Sequence, residues 1–216
     1  MSNSHATSGD AGRTVGYGAW ALCGMNDAVF AQRGGDQLLD VARQALTSAT
    51  SKNGRTPDVK VHSFPHPLRT HAACFVTLNA GDRLRGCIGS LTAHRPLVED
   101  VVINAVKSGF KDPRFKPLQA DELDQLSIKI AVLSPAGQME LADQADLERQ
   151  LDPGKDGLIL TDGSHRGTFL PMVWDKLPKP TDFVNALKVK AGLPREHWSG
   201  TLRIARFRAE TLSETA

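Results

Sequence analysis

A cysteine lies between two glycines, behind two arginines, in the segment RLRGCIGSL that begins at Arg83. Cys87 carries the thiol, and the thiolate form is the nucleophile. Nearby arginines favour the thiolate, and a regular strand would place Arg83, Arg85 and Cys87 on one side. The N–H groups around the glycines are suited to bind an anion. We therefore predict two catalytic residues, Cys87 and Arg85. Three further residues are predicted to bind substrate: Arg83, Gly86 and Gly89.

Cys87 also fits roles without nucleophilic chemistry. Free cysteine is among the most buried residue types, so a small apolar side chain between glycines suits a tightly packed position. Metal or redox use of the thiol is a third reading. A nucleophilic thiol needs a base, and the candidates are His71, His94 and His165. The sequence does not fix the distance of any of them from Cys87.

The segment DPRF places Arg114 two residues after Asp112. A guanidinium binds a carboxylate or phosphate through two parallel hydrogen bonds, so Arg114 is a predicted substrate-binding residue. The same side chain is suited to brace the loop by pairing with Asp112. Taken alone, the motif favours this ion pair.

Potential metal ligands cluster at His62, His66, His71 and Cys74. Their spacing matches no paired zinc signature, and the chain has no CxxC pair. We predict no metal site. A P-loop and the GxGxxG, GxSxG and HExxH motifs are also absent from the sequence, so the common nucleotide, hydrolase and zincin readings lack support. The cofactor stays unknown.

Composition limits the compartment and the partners. The 216 residues carry a formal net charge of +2 and no basic run, which argues against nucleic acid. No apolar run approaches the roughly 20 residues that cross a bilayer, so no membrane association is expected. The three cysteines, Cys23, Cys74 and Cys87, are an odd number without a recognisable signal peptide. We therefore expect a reducing, cytoplasmic location.

Residues 1–34 are rich in Gly, Ser, Ala and Thr and are predicted to form a flexible tail. Helices are predicted over 36–50 with Asp36 as the cap, 95–110, 143–151 and 181–194. Strands are predicted over 72–78, around Cys87, over 126–135, within 152–171 and over 201–210. Bends are expected at Asp156-Gly157 and Asp162-Gly163. Helices mixed with hairpins favour an α+β fold with a mainly antiparallel sheet.

Several segments, in this order, resemble the AMMECR family: CFVTL, LRGCIGSL, NAVKSGFKDPRFKPL, ELDQLSIKIAVLSP, GLIL, RGTFLPMVW and FVNALKVKAGL. The resemblance spans about residues 36–208 and is to bacterial and archaeal members of the AmmeMemoRadiSam type. It implies one α+β domain over residues 35–212, with two lobes, flanking helices and a cleft lined by the LRGCIG segment. Met172 departs from the pattern, in which glutamine commonly follows FLP.

Members of this type are associated with a Memo-type protein and a radical S-adenosylmethionine protein, so the resemblance implies these two partners. The chain lacks a CxxxCxxC motif, so radical chemistry belongs to a partner. We hypothesise a cysteine-dependent enzyme, or enzyme subunit, that acts on a small molecule. The alternative is a non-catalytic adaptor or ligand-binding module that docks a partner enzyme, in which Cys87 only packs.

Overall fold

The computed structural model describes residues 34–214. Except for its last residue, the predicted tail (1–34), with Cys23, lies outside this part of the chain. The helices of this part are α1 (Gly35–Ser51), α2 (His66–Arg69), α3 (Leu97–Phe110), α4 (Gln144–Gln150) and α5 (Pro180–Lys190). Its strands are β1 (Ala73–Ala80), β2 (Arg83–Gly89), β3 (Leu126–Leu133), β4 (Gly137–Gln138), β5 (Asp156–Asp162), β6 (His165–Phe169) and β7 (Arg203–Ser213). Short 3-10 turns cover Val61–Ser63, Ala120–Gln125 and Pro171–Asp175.

The strands form one antiparallel sheet in the order β2-β1-β3-β7-β5-β6, with β4 paired to β7. β7 joins the two halves because it is long: residues 209–213 pair with β3 and residues 203–208 pair with β5. The predicted α+β class, with a mainly antiparallel sheet and flanking helices, is confirmed. Within residues 34–214, no helix has the length and apolar character needed to cross a membrane.

Two hydrophobic clusters lie on the same face of this sheet and form the cores of two lobes. Alternate residues of a strand share a face, and on β7 Leu212 packs in the first cluster while Ile204 packs in the second. The first cluster joins α1 and α3 to β1 and β3, with Ile128 and Ile130 fully buried. The second cluster joins α5 to β5 around Phe183.

Two local predictions are wrong, and at both places another segment packs closely: Leu212 against Gly35 and Phe207 against Gly157. Gly34, not Asp36, precedes the first turn of α1, and no side chain caps that helix. Asp156 and Gly157 lie inside β5. The bend comes earlier, at Gly154, whose φ is +85°.

β2 contains a β-bulge at Arg85, which has no partner residue on β1. Cys87 lies opposite Thr77, but Arg83, beyond the extra residue, lies opposite Ala80. Thr77 and Ala80 are on opposite faces of β1, so Arg83 and Cys87 are also on opposite faces. The expectation that Arg83 shares one side with Cys87 required a regular strand and fails for this reason. We call the side of the sheet that carries Cys87 and Thr77 the Cys87 face.

Gly86 allows the last turn of α3 to lie directly against β2. A Cβ atom at Gly86 would be 2.1 Å from the carbonyl oxygen of Ser108. The Ser108 hydroxyl accepts a hydrogen bond from the Ile88 N–H (2.9 Å) and donates one to the Val76 carbonyl (2.8 Å). A side chain of α3 therefore bridges β1 and β2 and fixes the hairpin that carries Cys87.

We expect Gly86→Ala to lower the free energy of unfolding by about 3 kcal/mol, because the added methyl group would overlap the backbone carbonyl group of Ser108 in α3. Gly137→Ala is the matched control, since nothing lies within 4 Å of the Cβ position there. Urea unfolding at pH 7 measures both variants. A loss at Gly86 no larger than that of the control would contradict the close contact.

Candidate functional site

The Cys87 thiol is half-buried, and the Thr77 hydroxyl on the neighbouring strand is its hydrogen-bond partner. Its Sγ accepts a hydrogen bond from Thr77 Oγ1 at 3.2 Å. The two residues are directly opposite each other on neighbouring strands. A hydroxyl that donates to sulfur stabilises the thiolate more than the thiol, since the thiolate is the stronger acceptor.

Asp112 holds the backbone of Cys87 and is itself held by Arg114. Its Oδ2 accepts a hydrogen bond from the Cys87 N–H at 2.9 Å. Arg114 Nε donates to Oδ1 at 2.9 Å and Nη2 donates to Oδ2 at 2.6 Å. The Arg114 guanidinium therefore holds the pKa of Asp112 well below its usual range. The bracing ion pair favoured by the DPRF motif is present, and Arg114 remains 54% exposed.

Arg85 points to a different partner. Its Nε and Nη2 donate to the two carboxylate oxygens of Glu122 at 2.6 and 2.9 Å. This pairing raises the pKa of Arg85 and lowers that of Glu122. The remaining nitrogen, Nη1, is buried and has no hydrogen-bond partner among the described residues. Phe115 lies between the two guanidinium groups, with its ring centre 5.9 Å from Cζ of Arg85 and 5.4 Å from Cζ of Arg114.

The two predicted anion-binding glycines make contacts inside the protein. A Cβ atom at Gly89 would be 2.3 Å from Cγ of Phe75 and 2.5 Å from the Cys74 carbonyl oxygen. At Gly86 the obstacle is the Ser108 carbonyl group. Internal packing therefore accounts for glycine at both positions, whether or not their N–H groups also meet a ligand.

The histidine candidates are not brought to Cys87 by any contact that the structure records. His165 Nδ1 lies 3.1 Å from the Ala191 carbonyl oxygen, beside the end of α5 in the second lobe. His71 forms an isolated bridge with Pro96. Across residues 34–214, no group of three or more His, Cys, Asp or Glu side chains is arranged to hold a metal ion.

Cys74 is a packing residue, in contrast to Cys87. It is fully buried, and its thiol donates to Asp100 Oδ2 at 3.4 Å. Burial and the Asp100 carboxylate raise the pKa of the Cys74 thiol well above its ordinary value. Asn104 and Ser90 complete the hydrogen bonding of that carboxylate. Cys74 and Cys87 therefore differ in both exposure and surroundings.

Sequence reasoning missed four residues of this site: Thr77, Ser108, Asp112 as a partner of the Cys87 backbone, and Glu122. Thr77 could have been found in principle, because the alternation in CFVTL places it on the face opposite Cys74, Val76 and Leu78. Its pairing with Cys87 depends on the strand register, which the bulge at Arg85 sets. Glu122 lies 37 positions from Arg85, and no local pattern connects the two.

Comparisons with known proteins agree with this fold. The AMMECR1 family profile matches residues 39–212. A protein of Methanothermobacter thermautotrophicus is 33% identical over 198 residues, which cover 88% of this chain and 99% of that protein. A protein of Thermococcus onnurineus is 35% identical over 191 residues, covering 83% of this chain and 90% of its own. The crystal structure of the uncharacterized protein PH0010 from Pyrococcus horikoshii superimposes with a TM-score of 0.74 at 32% identity, covering 83% of this chain and 91% of that one.

The ion pair at Asp112 predicts a specific dependence of stability on pH. Folding lowers the pKa of Asp112. Its carboxylate therefore contributes fully to the free energy of unfolding above about pH 4, the usual aspartate pKa, and this contribution is lost as the pH falls further. We expect Asp112→Asn to lower the free energy of unfolding by about 2 kcal/mol at pH 7. The difference from wild type should shrink at pH 3.

Urea unfolding at both pH values measures the effect. Asp82→Asn, in the exposed turn between β1 and β2, is the control for the change in net charge. A difference between wild type and Asp112→Asn that stays constant from pH 7 to pH 3 would contradict the paired carboxylate.

Proposed function

The chain belongs to the AMMECR1 family, and we propose that it is a cysteine-dependent enzyme, or the thiol-bearing subunit of one, that acts on a small molecule at Cys87. One observation carries the proposal: the Cys87 sulfur is half-buried, on the side of the sheet away from both cores, with the Thr77 hydroxyl directed at it. A packing cysteine needs neither this position nor this donor, as Cys74 illustrates.

The proposed chemistry uses the thiolate as nucleophile or as carrier of a group. The Cys87 sulfur forms a bond to an electrophilic carbon of the substrate, and the leaving group departs with the electron pair. Thr77 supplies a hydrogen-bond donor to the sulfur before attack. Asp112 holds the Cys87 backbone in place through the N–H of that residue.

The arginines and glycines take different parts in this proposal. Arg114 is the proposed contact for a substrate carboxylate or phosphate, because more than half of its side chain is exposed while its Asp112 pair fixes its position. Arg85 is paired with Glu122 and holds the 120–125 turn. Its proposed catalytic role is to stabilise the anionic charge that develops in the reaction without touching the substrate. The proposed backbone contacts at Gly86 and Gly89 extend the same site. The proposed substrate contact of the exposed Arg83 comes from the opposite face, past the sheet edge that β2 forms.

The partner assignment rests on the resemblance to AmmeMemoRadiSam-type members. We propose that a Memo-like protein and a radical S-adenosylmethionine protein supply or consume the group that Cys87 handles, in the cytoplasm. Co-purification of the tagged chain with both partners from a host that encodes them tests this part separately from the chemistry.

A second function, that of a non-catalytic adaptor or ligand-binding module, is favoured by a specific observation. Gly86 and Gly89 are both explained by internal contacts. Arg85 and Arg114 are both paired with carboxylates of this chain. In that case the LRGCIG segment shapes the hairpin, and the surface docks a partner enzyme.

Alkylation by iodoacetamide at pH 7 separates these two functions. We expect Cys87 to react about tenfold faster than free N-acetylcysteine, because an enzyme nucleophile is activated by its surroundings whereas a free thiol is not. Peptide mass spectrometry measures the rate, and the buried Cys74 is the internal control that should stay unmodified. A rate for Cys87 at or below that of the free thiol would support the adaptor.

The Thr77 hydrogen bond has its own test. Thr77→Val keeps the shape of the side chain and removes the donor, so we expect the Cys87 alkylation rate to fall about fivefold, the worth of one hydrogen bond. Thr211→Val is the matched control, because Thr211 is an exposed threonine of β7 that lies opposite Ala131 and not opposite Cys87. Equal rates for the two variants would remove Thr77 from the site.

A further inference from the structure

Four polar side chains cross the sheet in one row on the Cys87 face. Cys87 lies opposite Thr77, Thr77 opposite Lys129, and Lys129 opposite Ser213. Directly opposite residues point to the same side and have Cβ atoms about 5 Å apart. Lys129 is therefore two strands away from the thiol, with only the Thr77 hydroxyl between them in the row.

Lys129 is an unusual residue for its strand. In β3 it is exposed, whereas Ile128 and all residues from Ile130 to Leu133 are buried. Farther along the same face, Ala73, Leu133 and Phe207 are buried in a small apolar cluster. The Cys87 face is therefore covered by apolar side chains at that cluster and is exposed to solvent at Lys129.

Lys129 also differs from the arginines near Cys87. Arg85 is paired with Glu122, and Arg114 is paired with Asp112. Arg83 lies on the opposite face of the sheet. No ion pair or hydrogen bond of the Lys129 side chain with another described residue is present in the structure. Its charge is uncompensated and available to a ligand on the Cys87 face, whereas the charge of Arg114, the other proposed contact for an anionic group, is offset by Asp112.

We propose that Lys129 binds the anionic group of the substrate, so that the site takes a small electrophile that carries a carboxylate or phosphate. This inference rests on the function proposed for Cys87 and adds its substrate class. The anionic group lies over Thr77 toward Lys129, and the electrophilic carbon lies against the Cys87 sulfur. The Cα atoms of Cys87 on β2 and Lys129 on β3 are about 10 Å apart, two strand spacings. This distance limits the substrate to a few bonds between its electrophilic carbon and its anionic group.

Two alkylating reagents of nearly equal size test the charge preference directly. Iodoacetate is an anion and iodoacetamide is neutral; with both, the Cys87 sulfur forms a bond to carbon and iodide leaves with the electron pair. The quotient of the two rates reports the potential at the sulfur and cancels the fraction of thiol that is ionised. The full chain with Cys23→Ser is the background, because Cys74 is buried.

We expect Lys129→Met to lower the iodoacetate-to-iodoacetamide quotient about two- to fivefold at low ionic strength, the effect of one charge within about 10 Å of the sulfur. Lys129→Arg should retain the quotient, and the difference should fade in about 1 M salt. Lys52→Met, after the end of α1, removes an equal charge from the other side of the sheet and should leave the quotient unchanged.

The possible failures are distinguishable. A quotient that Lys129→Met leaves unchanged, with Cys87 still reactive toward both reagents, overturns the role of Lys129 and leaves the proposed function standing. An equal drop for Lys52→Met shows a general charge effect and also overturns it. If neither reagent modifies Cys87 faster than a free thiol, the proposed function fails and the substrate class fails with it.

Discussion

The contact between the last turn of α3 and the β1–β2 hairpin determines the rest of this site. Gly86 lets the helix backbone approach the strand, and the Ser108 hydroxyl then replaces a direct bond between Val76 and Ile88. The hairpin is held by a side chain of the helix, and Arg85 is accommodated as an extra residue of β2. This bulge sends Arg83 to the other face and leaves Cys87 beside Thr77.

The same arrangement decides which charges act on the thiol. The loop that follows α3 carries Asp112 to the Cys87 backbone, and Arg114 compensates that carboxylate. The turn over residues 120–125 brings Glu122 to Arg85. Arg85 and Arg114 therefore each have their own carboxylate partner. The positive charge of these two arginines is largely neutralised, and Lys129, two strands from Cys87, is the proposed uncompensated cation on the Cys87 face.

The sequence was sufficient for features that depend on local periodicity. The alternation of Ile128, Ile130 and Val132 predicted a strand with one buried face, and the structure buries all three. It was insufficient where distant packing decides the outcome. Asp156-Gly157 is a turn signal in isolation, but the Phe207 ring lies where a side chain at 157 would be, and both residues belong to β5. The Thr77–Lys129 row depended on register, which no spacing within one segment reveals.

A crystal structure of the chain after reaction with iodoacetate tests most directly whether Cys87 is open to a small anion on this face. The account predicts a carboxymethyl group on the Cys87 sulfur, on the side of Thr77, with its carboxylate directed toward the Lys129 amine. An unmodified Cys87 covered by apolar side chains would contradict it, as would a carboxymethyl group turned away from Lys129 toward the opposite face of the sheet.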